Sequence, residues 1–338
     1  MATGGTIPMT QNLRGKVYPM GGLASVATHP SGRRKGYARH LVVRHLQQMR
    51  EKGEVVSTLW PFRESFYGRL GYISFPHSPV MRFPLSGLEP LLHRDLGGGV
   101  EIKEIREGFE EYRSFLKQVQ TRIHGMSLRP SKNASYMPRA NKHWLAVAEA
   151  NGKVAGVMIY RATGEGKDLE VESFFYLHSH GKYLLLQWLA RHIDQAKDVW
   201  LYTTPGQRHE TWLYDLEADI RTRREIYDSL EPMGRVVVVE GLSGMNAGRG
   251  NFSVRVTDEQ CPWNEGSYAF ESANGRLSVS RSKTHDGELD IKGLSALVFA
   301  GYDPGDFVFR GWGDPDSEVQ RAMRSMFPSS QPYLHEEF

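Results

Sequence analysis

The stretch Val26-Ala27-Thr28-His29-Pro30-Ser31-Gly32-Arg33-Arg34-Lys35-Gly36-Tyr37-Ala38 decides how the chain is read. Ahead of it, residues 18–28 alternate small and apolar side chains, the period of a strand, and Pro30 ends that run. Behind it, Ala38, Leu41, Val42, His45, Leu46 and Met49 fall on one stripe, so the spacing predicts a helix over 33–52, stopped by Gly53. A strand that passes through basic residues into a helix leaves backbone N–H groups free at the helix start. The helix dipole adds positive potential there. Gly36 removes a side chain where phosphate oxygens approach, and Arg34, Lys35 and Arg39 neutralise further charge. The predicted ligand is a pyrophosphate whose tail lies along the strand.

Outward from this stretch, three blocks can be drawn. The first, 1–86, continues with a buried strand at 55–59 and a two-turn helix at 63–70 that stops at Gly71; a hairpin of 6–14 with 16–28 precedes it. The second, 87–233, holds a helix at 109–124 with Tyr112, Phe115, Leu116, Val119 and Ile123 at helical spacing. Strands at 144–149, 152–160 and 169–176 follow, joined at Asn151-Gly152 and at 164–167, then a helix at 183–195 and a strand at 199–203. That order repeats the logic of the first block without its phosphate loop. The third, 234–338, reads as strands at 236–240, 250–257, 266–271 and 275–280, helices at 291–300 and near 318–326, and a Pro-containing tail ending at Phe338. The class is α+β with several antiparallel sheets.

Composition narrows the function. The 338 residues are 40% hydrophobic and 24% charged, a globular balance too long for one core. Net charge is +3, from 42 basic and 39 acidic residues, which gives no bulk-charge reason to expect a nucleic-acid partner. A single cysteine, Cys261, excludes a disulfide scaffold and is read as structural. No signal peptide and no membrane-length apolar run is visible, so a cytoplasmic location is expected. His178 and His180, read as alternating on a strand end, lack a third ligand at suitable spacing, and no metal is expected.

Two motifs carry a family resemblance. Arg33-x-x-Gly36-x-Ala38 resembles the GNAT pyrophosphate loop Gln/Arg-x-x-Gly-x-Gly/Ala, and Tyr67-x-x-x-Gly71-Tyr72 resembles that superfamily's Tyr-x-x-x-Gly-Tyr/Phe segment. With the block order and the terminal Phe338, the chain resembles the Eis-like (enhanced intracellular survival) acetyltransferases, which join two GNAT-like regions to a sterol-carrier-like domain. The resemblance implies tandem GNAT-like domains at 1–86 and 87–233, the first short at its N-terminus, and a sterol-carrier-like domain at 234–338. It implies acetyl-CoA as co-substrate, held by Val26, Arg33, Arg34, Lys35, Gly36, Tyr37 and Ala38. Tyr67 is implied as the acid that protonates the leaving thiolate, and the α-carboxylate of Phe338 as the base, with Glu337 holding a cationic acceptor. The acceptor implied is the amine of an aminoglycoside-like small molecule or a lysine, and the assembly a homo-oligomer such as a hexamer.

Physical chemistry makes these roles reasonable. Acyl transfer to an amine needs a base for the amine proton, a held pair of reactants, and an acid for the thiolate. A free α-carboxylate is ionised at neutral pH, and the Phe338 ring can anchor it in an apolar wall. Tyr72 is expected to pack rather than react. The alternative is a CoA- or lipid-binding protein in which the short first domain binds without turnover.

Overall fold

The computed structural model describes residues 1–130, 139–163, 168–222, 230–336 and 338; the turn expected at 164–167 and the residue Glu337 lie outside them. The chain forms two compact units: Met1–Pro76 with Gln120–Pro130 and Leu230–Phe338, and His77–Val119 with Ser131–Ser229. Among the described residues, no helix is long and apolar enough to cross a membrane.

The first unit contains two sheets. One is built from β1 (Ala2–Leu13), β2 (Lys16–Thr28), β3 (Val56–Leu59), β4 (Ile73–Ser74), β7 (Ser127–Leu128) and β13 (Met233–Val236), in the order β4-β13-β3-β2-β1-β7. β1 and β2 form the expected hairpin through Arg14 and Gly15, both at positive φ (49° and 83°), which matches strand twist in a two-residue turn. Helix α1 (Tyr37–Glu51) crosses from β2 to the parallel β3 and buries Val42, Leu46 and Met49. The strand expected at 236–240 forms instead at Met233–Val236, inside this sheet and not in the third block's own. Its backbone bonds to β3 on one edge and β4 on the other, and all four residues are buried. A buried strand must satisfy both edges, and the gap between β3 and β4 supplies both partners. Beyond Val236, the N–H groups of Val237 and Val238 share the Val55 carbonyl and the ladder ends.

The second sheet of this unit is built from β14 (Gly250–Thr257), β15 (Gly266–Ala273), β16 (Arg276–Arg281) and β17 (Glu288–Asp290), in the order β16-β15-β14-β17. Helices Ile291–Ala300 and Ser317–Met326 form where the 3.6 period placed them. Met20, Val56, Val236, Phe270, Leu297 and Phe299 belong to one buried cluster, so both sheets share a core.

Under α1 lies a buried group without an evident role. Glu54 is 4% exposed, and its Oε2 has no hydrogen-bond partner among the described residues. Burial raises its carboxyl pKa, against a smaller opposing effect of Lys52. A raised folded pKa means that the fold prefers the neutral acid. Its stabilising contribution is present at low pH and is lost as pH rises through the folded pKa. Glu54→Gln, which imitates the neutral acid, is therefore expected to raise Tm at pH 7 by about 2 °C. The gain should shrink at acid pH; melting curves that show no gain at pH 7 would contradict the account.

The second unit is a seven-stranded sheet. Its strands are β5 (Pro79–Pro84), β6 (Gly99–Glu104), β8 (Trp144–Ala150), β9 (Lys153–Thr163), β10 (Asp168–Tyr176), β11 (Asp198–Tyr202) and β12 (Asp219–Thr222), in the order β12-β5-β11-β10-β9-β8-β6. β10 and β11 are parallel and joined by helix Ser179–Ala190, as β2 and β3 are joined by α1. The repeated strand–helix–strand crossover bears out the tandem reading. His178 and His180 are not on a strand: His178 is the N-cap of that helix and His180 lies in its first turn. Gly181 lets this first turn pack closely on β9, since a β-carbon there would come 2.2 Å from the Ala155 carbonyl oxygen.

Candidate active site

The first unit holds a cavity of about 1010 Å³ at the end of β2. β2 stays paired with β1 to Thr28, but its pairing with β3 ends at Gly22↔Thr58. From Leu23 onward the edge away from β1 has no strand partner among the described residues, so its N–H and C=O groups are available to an extended ligand. A bulge lies in this segment: Ser25 and Val26 together oppose Gly4, and Ser25 sits at φ 56°. Such a bulge re-aims the residues that follow it, and Val26, Ala27 and Thr28 line the cavity.

Beyond Thr28 a short turn, Pro30–Gly32, leads into the basic loop. Arg34 and Gly36 both occupy the left-handed region, at φ 61° and 78°, so the helix expected from residue 33 begins at Tyr37. Gly36 is thereby the N-cap rather than a first-turn residue. Conformation is what calls for glycine, since a β-carbon there would meet nothing closer than His40 at 3.9 Å. Among the described residues no side chain caps α1, and the N–H groups of Tyr37, Ala38 and Arg39 have no intrahelical acceptor. This is a cradle for an anion at a helix start.

Val26, Arg33, Arg34, Gly36, Tyr37 and Ala38 all line the cavity, whereas Lys35 is exposed outside its lining. Arg39 lines it too, but its guanidinium is bonded to Glu259 at 2.6 Å and Gln260 at 3.3 Å. Its charge is therefore partly spent.

Helix α2 (Glu64–Gly68) forms the facing wall, with Phe62, Phe66 and Gly68 in the lining. Tyr67 is 3% exposed and clusters with Leu23, Val42 and Leu59. Its ring meets Phe66, Phe62 and Tyr72 edge-on, at centroid distances of 5.0, 5.4 and 6.0 Å. Burial pushes its phenol up to about 12. Tyr72 is fully packed, as expected; its hydroxyl lies 2.8 Å from Ser57 Oγ, which donates to the Gly21 carbonyl.

The C-terminal tail returns to the same strand. Tyr333 and Leu334 are buried, Tyr333 N donates to the His124 carbonyl (2.9 Å), and Glu336 accepts from Arg129 N (2.5 Å). Burial lowers His124 to about 4, so the ring stays neutral, with Nδ1 accepting from Arg14 N (3.0 Å) and Nε2 donating to the Phe299 carbonyl (2.5 Å). The Phe338 ring lies over Gly22, where a β-carbon would come 2.9 Å from its Cε2. Gly22 and Leu23 are successive strand residues and face opposite ways. Tyr67, clustered with Leu23, and Phe338, against Gly22, therefore approach β2 from opposite faces. Glu337 is the one expected site residue outside the described structure.

Some lining residues escaped the sequence reading. Arg69, two positions past Tyr67, is an exposed cation in the cavity wall and could have been noticed within the quoted motif. Asp258–Gln260 and Asp290–Lys292 also line it. They lie some 200 residues from the loop in sequence, and nothing local marks them. Cys261 is buried, and burial pushes its thiol up to about 12, which suits an inert structural residue. Among the described residues there is no cluster of metal-ligating side chains.

Chemically, the arrangement can hold an anion at the start of α1 and an extended tail along the free edge of β2. It brings the neutral Tyr67 phenol and the Phe338 ring to opposite faces of that strand. Residues 1–74 match the acetyltransferase (GNAT) domain family, and residues 240–335 the sterol carrier protein domain family. An uncharacterized N-acetyltransferase of Streptomyces avermitilis is 23% identical over 239 residues, covering 64% of this chain; the match spans about half, 51%, of that relative's length. The fold is shared with a GCN5-related N-acetyltransferase from Anabaena variabilis (TM-score 0.85, 20% identity, 99% of this chain and 86% of that one). It is shared also with Eis1 from Mycobacterium abscessus (TM-score 0.80, 18% identity, 100% and 87%).

Proposed function

The chain joins a GNAT acetyltransferase domain to a sterol carrier protein domain in an Eis-like arrangement, and on that premise we propose that it transfers an acetyl group from acetyl-CoA to a primary amine. The observation that carries this reading is the cavity at the end of β2, in which an uncapped helix start and a free strand edge share one wall. The diphosphate is held by the backbone of Gly36–Ala38 and by Arg33 and Arg34, and the pantetheine tail extends along Leu23–Thr28.

In this reading, the acceptor amine enters on the Gly22 face. The α-carboxylate of Phe338 takes a proton from the ammonium and passes it to solvent, and the freed amine nitrogen bonds to the thioester carbonyl carbon. The nitrogen sheds its second proton to the same carboxylate as the tetrahedral intermediate collapses and the carbon–sulfur bond breaks. Tyr67, on the Leu23 face, gives its proton to the departing thiolate, and the phenolate is reprotonated from solvent. Glu337 and the neighbouring tail favour a cationic acceptor, an aminoglycoside-like amine or a lysine. Assembly as a homo-oligomer such as a hexamer, a cytoplasmic location, and the functional division at 1–86, 87–233 and 234–338 belong to the same proposal.

The test is release of free thiol from acetyl-CoA in the presence of a panel of amines, among them aminoglycosides, polyamines and lysine peptides. Amine-dependent release with at least one class is the expected result. Tight CoA binding without release for any amine would overturn the transferase reading and leave a binding protein.

A further inference from the structure

Asp258, Glu259 and Gln260 follow the end of β14 in the sterol carrier part of the chain, yet all three line the cavity. They reach in two directions. The Asp258 side chain is 1% exposed and its Oδ2 accepts from Arg235 Nη2 at 2.6 Å, with the Arg235 side chain fully buried. Asp258 also accepts from Asn264 Nδ2 (2.9 Å) and from the Cys261 N–H (3.2 Å). Arg235 donates its other N–H groups to the Val236 carbonyl (3.0 Å) and to the carbonyl of Leu70, in the turn where α2 ends. Gly71 shows how closely that turn is held: it sits at φ 86°, and a β-carbon there would come 2.7 Å from Arg235 Nη1. In the other direction, Glu259 and Gln260 bond Arg39, in the first turn of α1.

Three consecutive residues thus link the exit of α2 to the start of α1, the helices that bear Tyr67 and the anion cradle. A desolvated ion pair adds little net stability over apolar packing, but with its remaining donors and acceptors matched it holds one geometry. We propose that Asp258–Gln260 is a positioning bracket that sets the spacing between the cradle and Tyr67. The sterol carrier part thereby helps to align the acyl donor without touching the reacting atoms. The proposal rests on the acetyl-CoA reading given above. Its outer arm, the exposed Glu259 and the buried Gln260, acts on CoA affinity, and its inner arm, Asp258, acts on the chemical step.

Two variants of the full chain test it. In Glu259→Ala, which opens the exposed Arg39–Glu259 pair (side chains 52% and 79% exposed), Tm should not change, and the lost position of Arg39 should raise the Kd for CoA by calorimetry about 5-fold, against the fall in Kd that its freed charge alone would give. In Asp258→Asn, kcat should fall about 10-fold or more while the CoA Kd hardly moves, because the loss is one of alignment. A purely structural role would lower Tm while leaving both kcat per folded molecule and the CoA Kd as they were. An unchanged or lowered Kd in Glu259→Ala overturns the bracket, and does so even if Asp258→Asn fails to fold. Should the wild type bind CoA but release no thiol with any amine, the transferase reading fails, and the bracket is decided by the Glu259→Ala Kd.

Discussion

Adding one glycine after Phe338 is expected to lower turnover about 100-fold or more while leaving CoA binding intact, since general-base catalysis of this kind contributes about 10²–10⁴-fold. The extension moves the terminal carboxylate about 3.5 Å further along the chain and puts a peptide carbonyl, which is no base, where the carboxylate stood. The tail's anchors lie upstream, at Tyr333, Leu334 and Glu336, so docking and stability should survive. The cradle is also out of reach: from Gly22 to Val26, β2 runs four residues, about 13 Å. Steady-state kinetics alongside CoA calorimetry separates the two effects. Phe338→Leu, which keeps the carboxylate and trims the ring over Gly22, should lose much less. Turnover undiminished by the extension would rule out the terminal carboxylate as base.

The second large effect is expected at Tyr67. Tyr67→Phe removes one oxygen from a ring held on three sides by aromatic neighbours, so packing is preserved. kcat should fall about 100-fold with KM little changed, the pattern for an interaction made only in the transition state. The pH dependence follows from burial. An acid must be protonated to act, and burial has pushed this phenol up to about 12. Its proton is retained below that value and lost only as pH rises through it. The alkaline side of the rate profile should therefore stay flat through pH 10 as far as Tyr67 is concerned. A falling limb near 10 that vanishes in Tyr67→Phe would mean an unperturbed, solvated phenol. A weaker acid still suits the task, because a thiolate leaving against the same apolar wall is itself desolvated and becomes more basic in step.

Local pattern was a good guide wherever neighbours in sequence are also neighbours in space. The hairpin through Arg14-Gly15, α1 and its buried Val42, Leu46 and Met49, and β14 at Gly250–Thr257 follow from period and turn chemistry. The anion cradle was legible for the same reason: a strand, a basic turn and a helix start are contiguous. Even so, the loop's detail was not. Two consecutive readings, a helix from residue 33 and Gly36 in its first turn, were displaced because Arg34 and Gly36 take left-handed conformations that residue type alone does not impose on arginine.

By itself, the sequence determined the α+β class, the repeated strand–helix–strand crossover, and the loop from Arg33 to Ala38, since each depends on interactions within a few turns or a single hairpin. Tertiary structure alone decided that Met233–Val236 completes the first sheet, that the tail lays Phe338 over Gly22, and that Asp258–Gln260 reaches both α1 and the α2 exit. Those contacts join residues separated by 150 positions or more. Their partners are chosen by which buried hydrogen-bonding groups and apolar faces remain unmatched once the local elements have formed, and no local period records that choice.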